Sequence, residues 1–465
     1  MCRSAIARTI KRSAAAAASA IGACCVASLS VLPAAAQQPV APVVPEGSNL
    51  LGDLGGLRPA MDDRGISLNL SETSEILGNP TGGRAQGVIY EGLTQLGLGV
   101  DLAKTIGLPG GSLNITAFQI HGRGLSANYL QNLNTTSGIE ADRATRLFEF
   151  WYQQAFLDGK IDLRIGQEAA DQEFIISQYA GLFVNASFGW PTLAAVNLPS
   201  GGAAYPLATP AVRLRLKPSD VVTALVAVYN GNPAGNGGGD PQHRDASGTS
   251  FATADGAFAI GEVQFRVDQG DGGTGLPGVY KFGAWYETDQ LPNPFYDAGG
   301  VPPDGPLPGE PALRHNDWSL YAVADQLVWS PPGSPKGAGV GVFARIMGAP
   351  DDRSVVDFFI DGGIDYQNPF GRDGDTVGVG VGWARIGGAV RAGEAAFAAQ
   401  SGGSFGVRTS ETVIELTYQT QLFGWCVVQP DFQYIVNPGG GILAPTGTRL
   451  LGDAAVVGVR TVITF

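Results

Sequence analysis

The clearest chemical pattern in this chain is a row of three cations, Arg213, Arg215 and Lys217, which alternate with leucine residues. Successive side chains of a β-strand point to opposite faces, so the three cations share one face and the apolar residues share the other. Such a row needs carboxylate partners or passing ligands. Asp162 and Arg164 form a second pattern of this kind, with two opposite charges on one strand face.

The polar faces of other alternating segments contain charges of both signs together with tryptophan. They contribute Glu149, Trp151, Glu262, Arg266, Lys281 and Trp285. A pore for anions favours rings of Arg and Lys, and a pore for cations favours rings of Asp and Glu. Mixed charge beside indole rings suits an uncharged polyol, because hydroxyl groups both donate and accept hydrogen bonds. The alternative is that these charges pair only with one another and stiffen a wall.

Alternation of apolar and polar residues recurs along the chain, and Gly, Pro, Asn or Asp ends each alternating segment. The 465 residues include 68 glycines, and 15% of the residues are charged. Beyond Leu68, no apolar stretch approaches the roughly 18 residues that a membrane helix needs. The segments predict about sixteen strands in a closed, antiparallel transmembrane β-barrel, since single-chain bacterial barrels have an even strand number. Closure is required because hydrocarbon offers no hydrogen bonds to a sheet edge.

The last strand favours a membrane barrel over a soluble β-sandwich or propeller. Val457, Ile463 and the final residue, Phe465, lie in one phase, as expected for a barrel-closing strand that faces lipid. Apolar side chains should therefore lie outside and polar ones in the lumen. We expect aromatic residues at strand ends, such as Phe148 and Tyr286, to form the interfacial girdles.

The first 36 residues predict a cleaved signal peptide: basic residues precede an Ala-rich apolar run that ends in a small-x-small site. An uncleaved membrane anchor and a lipoprotein signal ending at Cys24 are the alternatives. Residues 37–66 are expected to form a Pro-rich lead-in and an N-terminal periplasmic, plug-like segment. Residues 67–465 then form the barrel domain.

Composition and the reactive residues exclude several functions. The net charge of −13 argues against a nucleic-acid partner. Cys426 is the only cysteine left after residues 1–36 are removed, so the mature chain cannot form an internal disulfide. The histidines, His121, His243 and His315, are scattered and accompany no recognisable nucleophile motif. We expect no metal site, no cofactor and no catalysis.

The connection 169–210 is too long to be a turn and is apolar for an exposed loop. We expect it to fold into the barrel and narrow it, with Phe188 and Trp190 at the constriction. The alternative is a loop packed over the barrel mouth. The run 237–240, Gly-Gly-Gly-Asp, is a single copy of a calcium-binding pattern and is more typical of a flexible outer loop.

Several long motifs resemble those of the OprB-type carbohydrate-selective porins of Gram-negative bacteria. They include WYQQAFLDGKIDLRIGQ at 151–167 and NLPSGGAAYPLATPAVRL at 197–214. Further matching segments are 50–58, 188–191, 321–329, 429–441 and 452–465. One departure is Leu54, where an aromatic residue is expected. The matching segments cover nearly the whole mature chain.

The resemblance implies an outer-membrane barrel of about sixteen strands that passes glucose and other small sugars down their gradient. It implies neutral sugars, outer-membrane lipid and lipopolysaccharide as partners, and it leaves open whether the barrel is a monomer or a homo-oligomer. The alternative function is a general porin for small hydrophilic solutes without marked sugar selectivity.

Overall fold

Sixteen of the alternating segments form a closed antiparallel β-barrel in the computed structural model. The structure describes residues 49–465 except 269–274, 290, 298–310, 334–337, 373, 401–405, 445–446 and 448. The predicted signal peptide and the lead-in up to residue 48 lie outside the described residues. The predicted barrel and its strand number are confirmed.

The strands follow one another around the barrel in chain order. Their bounds are β1 (Ile66–Gly83), β2 (Val88–Asp101), β3 (Gly111–Gly122), β4 (Ala144–Phe156), β5 (Ile161–Glu168), β6 (Thr209–Leu216), β7 (Val222–Asn230), β8 (Ala257–Val267), β9 (Gly278–Glu287), β10 (Leu291–Asp297), β11 (Pro311–Arg314), β12 (Asp317–Trp329), β13 (Val340–Gly348), β14 (Val356–Gln367), β15 (Thr376–Ile386), β16 (Ser410–Phe423), β17 (Cys426–Val436) and β18 (Gly452–Thr464). Strands β10 and β11 form a separate two-stranded sheet, and β9 pairs directly with β12.

The barrel closes between β1 and β18, which pair from Ser71 opposite Thr464 to Gly83 opposite Gly452. This seam leaves neither strand with an unpaired edge, as hydrocarbon requires. Connections at one end of the barrel are short, for example 157–160 and 424–425. The longest connections, above all 169–208, lie at the other end, and the end of β18 lies at the short-connection end.

The two faces of each strand differ as the alternation predicts. In β5, Leu163 and Ile165 are exposed on the outer wall, whereas Asp162 and Arg164 are buried inside the barrel. Tyr286, at the end of β9, is 43% exposed and has the position expected of an interfacial girdle residue. The barrel therefore presents its apolar phase outward and its polar phase inward, the reverse of a soluble barrel.

A β-bulge in β4 overturns the prediction for Phe148. Thr116 pairs with Glu149 but its neighbour Ala117 pairs with Leu147, so Phe148 is an extra residue in the ladder. The bulge turns Phe148 and Glu149 to the same side. Phe148 is buried inside the barrel, with its ring centroid 4.5 Å from that of Phe118, and does not belong to a girdle.

Among the described residues, the α-helices lie before the first strand or in the connections between strands. They are α1 (Leu57–Asp62), α2 (Leu102–Ile106), α3 (Thr192–Asn197), α4 (Pro241–Arg244) and α5 (Gly388–Gln400). Among the described residues, no helix combines the length and apolar character needed to cross a membrane.

The described part of the lead-in is attached to the closing seam. The amide of Leu50 donates to the carbonyl of Thr464 at 2.9 Å, and the guanidinium of Arg58 donates to the carbonyl of Leu68 at 2.9 Å and to that of Phe465. None of the residues of α1 is buried. A plug-like role for this segment stays a prediction.

Candidate solute pathway

The connection 169–208 lies inside the barrel, where side chains from the walls hold its backbone. Backbone amides of this connection donate to inward-facing carboxylates of β8, β12 and β16. The donor and acceptor pairs are Ile175 with Glu262 (2.9 Å), Gln178 with Asp325 (3.1 Å), Val184 with Glu415 (2.6 Å) and Asn185 with Glu415 (3.0 Å). These hydrogen bonds, made inside the barrel, fix the connection across the lumen.

Basic and amide side chains hold the carbonyls of the same connection. Arg345 of β13 donates to the carbonyl of Ser187 at 2.7 Å and to that of Gly189 at 2.8 Å, and it also pairs with the buried Asp361 of β14. Gln429 of β17 donates to the carbonyl of Leu182 at 2.7 Å. The connection therefore contacts walls from β8 to β17 and narrows the barrel.

Phe188 and Trp190, the two aromatic residues expected at the constriction, differ in their burial. Phe188 is 1% exposed, and its ring packs on Phe183 and Phe343, with centroids 4.6 Å and 6.1 Å away. Its ring is packed between the rest of the connection and the barrel wall at Phe343, so the prediction that Phe188 lines the passage is wrong. Trp190 is half-buried, and its indole nitrogen donates to the carbonyl of Gly201 at 3.1 Å.

Arg213, the first cation of the basic row, is fully buried in an ion-pair cluster. It pairs with Asp162 of the neighbouring strand β5, and its Nε lies 2.7 Å from a carboxylate oxygen of Glu173 in the connection. Its Nη2 also donates to Gln153 at 2.9 Å. Arg213 therefore has the carboxylate partners that the row required, and it has no surface open to a solute.

Trp151, Arg164 and Glu173 form a mixed aromatic and ionic surface next to this cluster, which we call the Trp151 platform. The central carbon of the Arg164 guanidinium lies 3.8 Å from the centre of the Trp151 ring, a cation–π contact. Arg164 also pairs with Glu173 at 2.8 Å. Glu149 accepts a bond from the Trp151 indole at 3.3 Å and one from the amide of Ala169 at 3.3 Å. The Trp151 side chain is half-buried, so part of it remains exposed.

The remaining cations of the basic row lie toward the short-connection end. Arg215 donates through Nε to Asp162 at 2.5 Å, and its side chain remains 19% exposed. Lys217 follows the end of β6 and is half-exposed, while Arg266 of β8 is exposed. Partial burial, together with the nearby cations Arg215 and Arg266, lowers the pKa of Lys217. These three side chains form a basic cluster with surface accessible to solutes.

Three further predicted pathway residues contribute to packing or to the anchoring of the connection. Lys281 donates to the carbonyl of Ile176 at 2.6 Å, and Glu262 accepts bonds from the Ile175 amide and the Tyr321 hydroxyl. Trp285 is 2% exposed, so it is an interior packing residue and the prediction that it lines the path is wrong.

Sequence reasoning missed Glu173, which joins Arg164 and Arg213 to the connection. This residue lies in irregular chain after β5, where no alternation indicates which way a side chain points. Its only signal in the sequence was its position a few residues beyond β5, the strand that carries the inward cation Arg164.

Comparisons with known protein sequences all match this chain to porins. The family model described as carbohydrate-selective porin, OprB family, matches residues 85–465. Porin B of Pseudomonas aeruginosa is 25% identical over 420 residues, which are 85% of this chain and 88% of that protein. The putative porin QuiX of Acinetobacter baylyi is 23% identical over 436 residues, 90% of this chain and 93% of that protein.

The fold also matches solved structures. The high-pH structure of OprB from Pseudomonas putida superposes with a TM-score of 0.78 at 23% identity, covering 90% of this chain and 99% of that one. The low-pH structure of the same protein gives a TM-score of 0.55 at 17% identity, with the same coverage. At these identities the likeness shows a shared fold.

Proposed function

This chain belongs to the carbohydrate-selective porin family OprB, and from that premise we propose that the Trp151 platform is where a sugar is recognised on its way through the barrel. The chain is an outer-membrane porin through which small sugars diffuse passively. What the proposal adds is the place of selection: the space between the connection 169–208 and the walls formed by β4, β5 and β6.

The observation that carries the proposal is the cation–π contact between Arg164 and Trp151, flanked by the Arg164–Glu173 ion pair. A sugar ring has apolar C–H faces and a rim of hydroxyl groups. The exposed part of Trp151 suits the apolar face, while the guanidinium donates to hydroxyl oxygens and the carboxylate accepts from hydroxyl hydrogens. Because the charges are already paired with each other, the surface does not attract ions of one sign.

Binding at this platform must be weak. A solute that diffuses through a pore has to leave as readily as it enters, so a site that held sugar tightly would block transport. The basic cluster Arg215, Lys217 and Arg266 offers further N–H donors for sugar hydroxyl oxygens toward the short-connection end. We propose that a sugar passes from the platform to this cluster before it reaches the periplasm.

Block of single-channel current by added sugar tests the platform directly. Trp151→Ala should weaken the block by glucose several-fold, because the stacking surface is lost. Trp318→Ala is the matched control, since Trp318 lies exposed on the outer wall of β12. An unchanged block in the Trp151 variant would move the site elsewhere in the lumen. Absence of sugar block in the unmodified protein would favour the alternative, a general porin.

The family and the fold are those of a channel, and we propose further that the chain catalyses no reaction. Support comes from the inward carboxylates: Glu262 and Glu415, for example, accept amides of the connection. Analysis of oligosaccharides after incubation with the purified protein tests this proposal, since new shorter products would contradict it.

A further inference from the structure

A groove opens on the outer wall of the barrel over β4 to β7. Its volume is about 690 Å³. One cross-strand row of outward-facing residues forms its floor, paired in the order Tyr152, Ile165, Val212 and Val228. The segment 251–257, which leads into β8, lines the groove toward the long-connection end. We call this cavity the wall groove.

The short length of β5 and β6 creates this space. Phe150 of β4 pairs with Gln167 at the last rung shared with β5, although β4 continues further toward the long-connection end. The connection between β7 and β8 replaces the missing wall, since the amide of Leu147 donates to the carbonyl of Ser247 at 2.9 Å. Gln167 donates to the carbonyl of Gly248 at 2.8 Å. The wall groove lies between this connection and the upper ends of β5 to β7.

The surface of the wall groove is mainly apolar and faces the membrane. Ile165, Val212 and Val228 are exposed on the outer wall, and Phe150 lies beside them. Phe251 is also exposed, although it belongs to a connection. These side chains form a continuous apolar surface. Hydrocarbon is the partner that such a surface prefers to water.

The wall groove lies at the level of the outer leaflet. In bacterial barrels the long connections are extracellular and the short ones are periplasmic. Ile165 is three residues from the long-connection end of β5, and Val228 is two residues from that end of β7. The outer leaflet of a Gram-negative outer membrane consists of lipopolysaccharide, so the acyl chains available at this level are those of lipid A.

Two cations lie at the same end of the barrel. Arg123 immediately follows β3 and Arg143 immediately precedes β4, and both are exposed. Among the described residues, neither guanidinium has an ion-pair or hydrogen-bond partner. The acidic neighbour Asp142 contacts His243 instead, whose Nε2 lies 3.1 Å from its carboxylate. Lipid A carries phosphate groups, and guanidinium groups bind phosphate well.

The spacing of Arg143 and the wall groove matches one leaflet. Phe150 follows Arg143 by seven residues, and the bulge at Phe148 adds one of them without adding length. Along a tilted strand the remaining residues span roughly 15 Å of membrane depth. This is half of the hydrocarbon thickness of about 30 Å, and thus the depth of the acyl chains of one leaflet. A phosphate at Arg143 therefore places an acyl chain along the groove.

We infer that the wall groove binds an acyl chain of lipid A, with the phosphates of the same molecule on Arg143 and Arg123. The groove supplies apolar area, and the two arginines select a phosphorylated headgroup. The bound chain fills the space that the short strands β5 and β6 leave in the wall. Lipopolysaccharide is therefore held at a fixed position on this barrel.

Native mass spectrometry with defined lipids tests this inference. Porin cleared of lipid in detergent is incubated with lipid A, dephosphorylated lipid A or phosphatidylglycerol, and lipid A should bind most tightly. Val212→Trp should weaken the binding of lipid A about tenfold, because displacing about two methylene groups from the groove accounts for that factor. Val379→Trp is the matched control, since Val379 is exposed on the outer wall of β15, and it should bind normally.

The headgroup contact is tested separately. Arg143→Ala should weaken the binding of lipid A about fivefold, the contribution of one cation at a charged lipid surface, and should not change that of dephosphorylated lipid A. Arg449→Ala is the control, because Arg449 is exposed in the connection between β17 and β18.

Folding of each variant is checked by the heat-dependent gel mobility of the barrel, and Ile165→Trp replaces Val212→Trp if the latter does not fold. The inference is overturned if phosphatidylglycerol binds as tightly as lipid A, or if the Val212 variant binds lipid A normally. It is also overturned if Val212→Trp changes the number of chains in the particle instead of its lipid occupancy.

Discussion

Arg213 of β6 forms a fully buried ion pair with Asp162 of the neighbouring strand β5. Arg215, two residues further along β6, contacts the other carboxylate oxygen of Asp162 and keeps part of its side chain exposed. One carboxylate thus joins a structural cation to an accessible one. The two arginines therefore provide a matched pair for separating stability from selectivity.

Arg213→Ala should destabilise the barrel. The substitution removes one of the two arginine partners of the buried Asp162 and one of the two arginine partners of Glu173, a loss of about 3–5 kcal/mol in the free energy of unfolding. Urea unfolding of the barrel in lipid vesicles measures this. A loss below about 1 kcal/mol, the size found for exposed pairs, would show that the cluster is not buried in the working protein.

Arg215→Ala should change transport with little effect on stability. Its partly exposed guanidinium offers donors to passing hydroxyl groups, so the preference for sugar over similarly sized ions should fall about two- to five-fold if one ordinary hydrogen bond is lost. The measurement is the permeability to sugars relative to similarly sized ions, compared between Arg213→Ala and Arg215→Ala. Selectivity changed equally in both would contradict the separate roles.

Glu415→Gln should loosen the connection 169–208. The two side-chain oxygens of Glu415 accept one amide each, from Val184 and from Asn185, and a glutamine side chain has only one oxygen acceptor. Single-channel recordings should show larger conductance or more frequent transitions. Asp352→Asn, which alters an exposed ion pair with the adjacent Arg353 and removes no hydrogen bond to the connection, is the control and should leave the recordings unchanged.

Asp171, in the same connection, should make stability depend on pH. Burial raises its pKa to about 6, above the usual 3.8, although the Tyr205 amide bonds to the ionised form. An acid with a raised folded-state pKa binds its proton more tightly when folded, so its contribution to stability is present below pH 4 and is lost as the pH rises toward 6. Asp171→Asn should reduce the change in the free energy of unfolding between pH 4 and pH 6. An unchanged pH dependence would contradict the role given to Asp171.

Processing of the N-terminus should leave Gln37 as the first residue. Removal of residues 1–36 as a signal peptide predicts this start in protein isolated from outer membranes. Intact-mass measurement distinguishes the alternatives: a lipid-modified Cys24 adds the mass of acyl chains, and an uncleaved anchor keeps the full length.

The strands and their facing could be predicted because alternation is a local signal. Leu163 and Arg164 point in opposite directions in any strand, and a membrane decides which of the two lies outside. The predictions for Phe148 and Phe188 were wrong for reasons that lie outside the local pattern. A bulge in β4 turns the Phe148 side chain inward, and packing against Phe343 buries the Phe188 ring.

The roles of the individual inward-facing charged residues could not be predicted either. Glu262 and Arg164 look alike in sequence, as charged residues in the inward phase of a strand. One binds an amide of the connection and the other lies on Trp151, and only the path of the connection across the lumen decides between these roles.

Liposome swelling with a graded set of neutral sugars and similarly sized ions tests the central claim most directly, namely that this barrel is a channel that selects sugars. Monosaccharides should enter faster than ions of equal size, and the rate should fall steeply as the sugar becomes longer. Entry rates that depend on solute size alone, with sugars and ions on one curve, would contradict it.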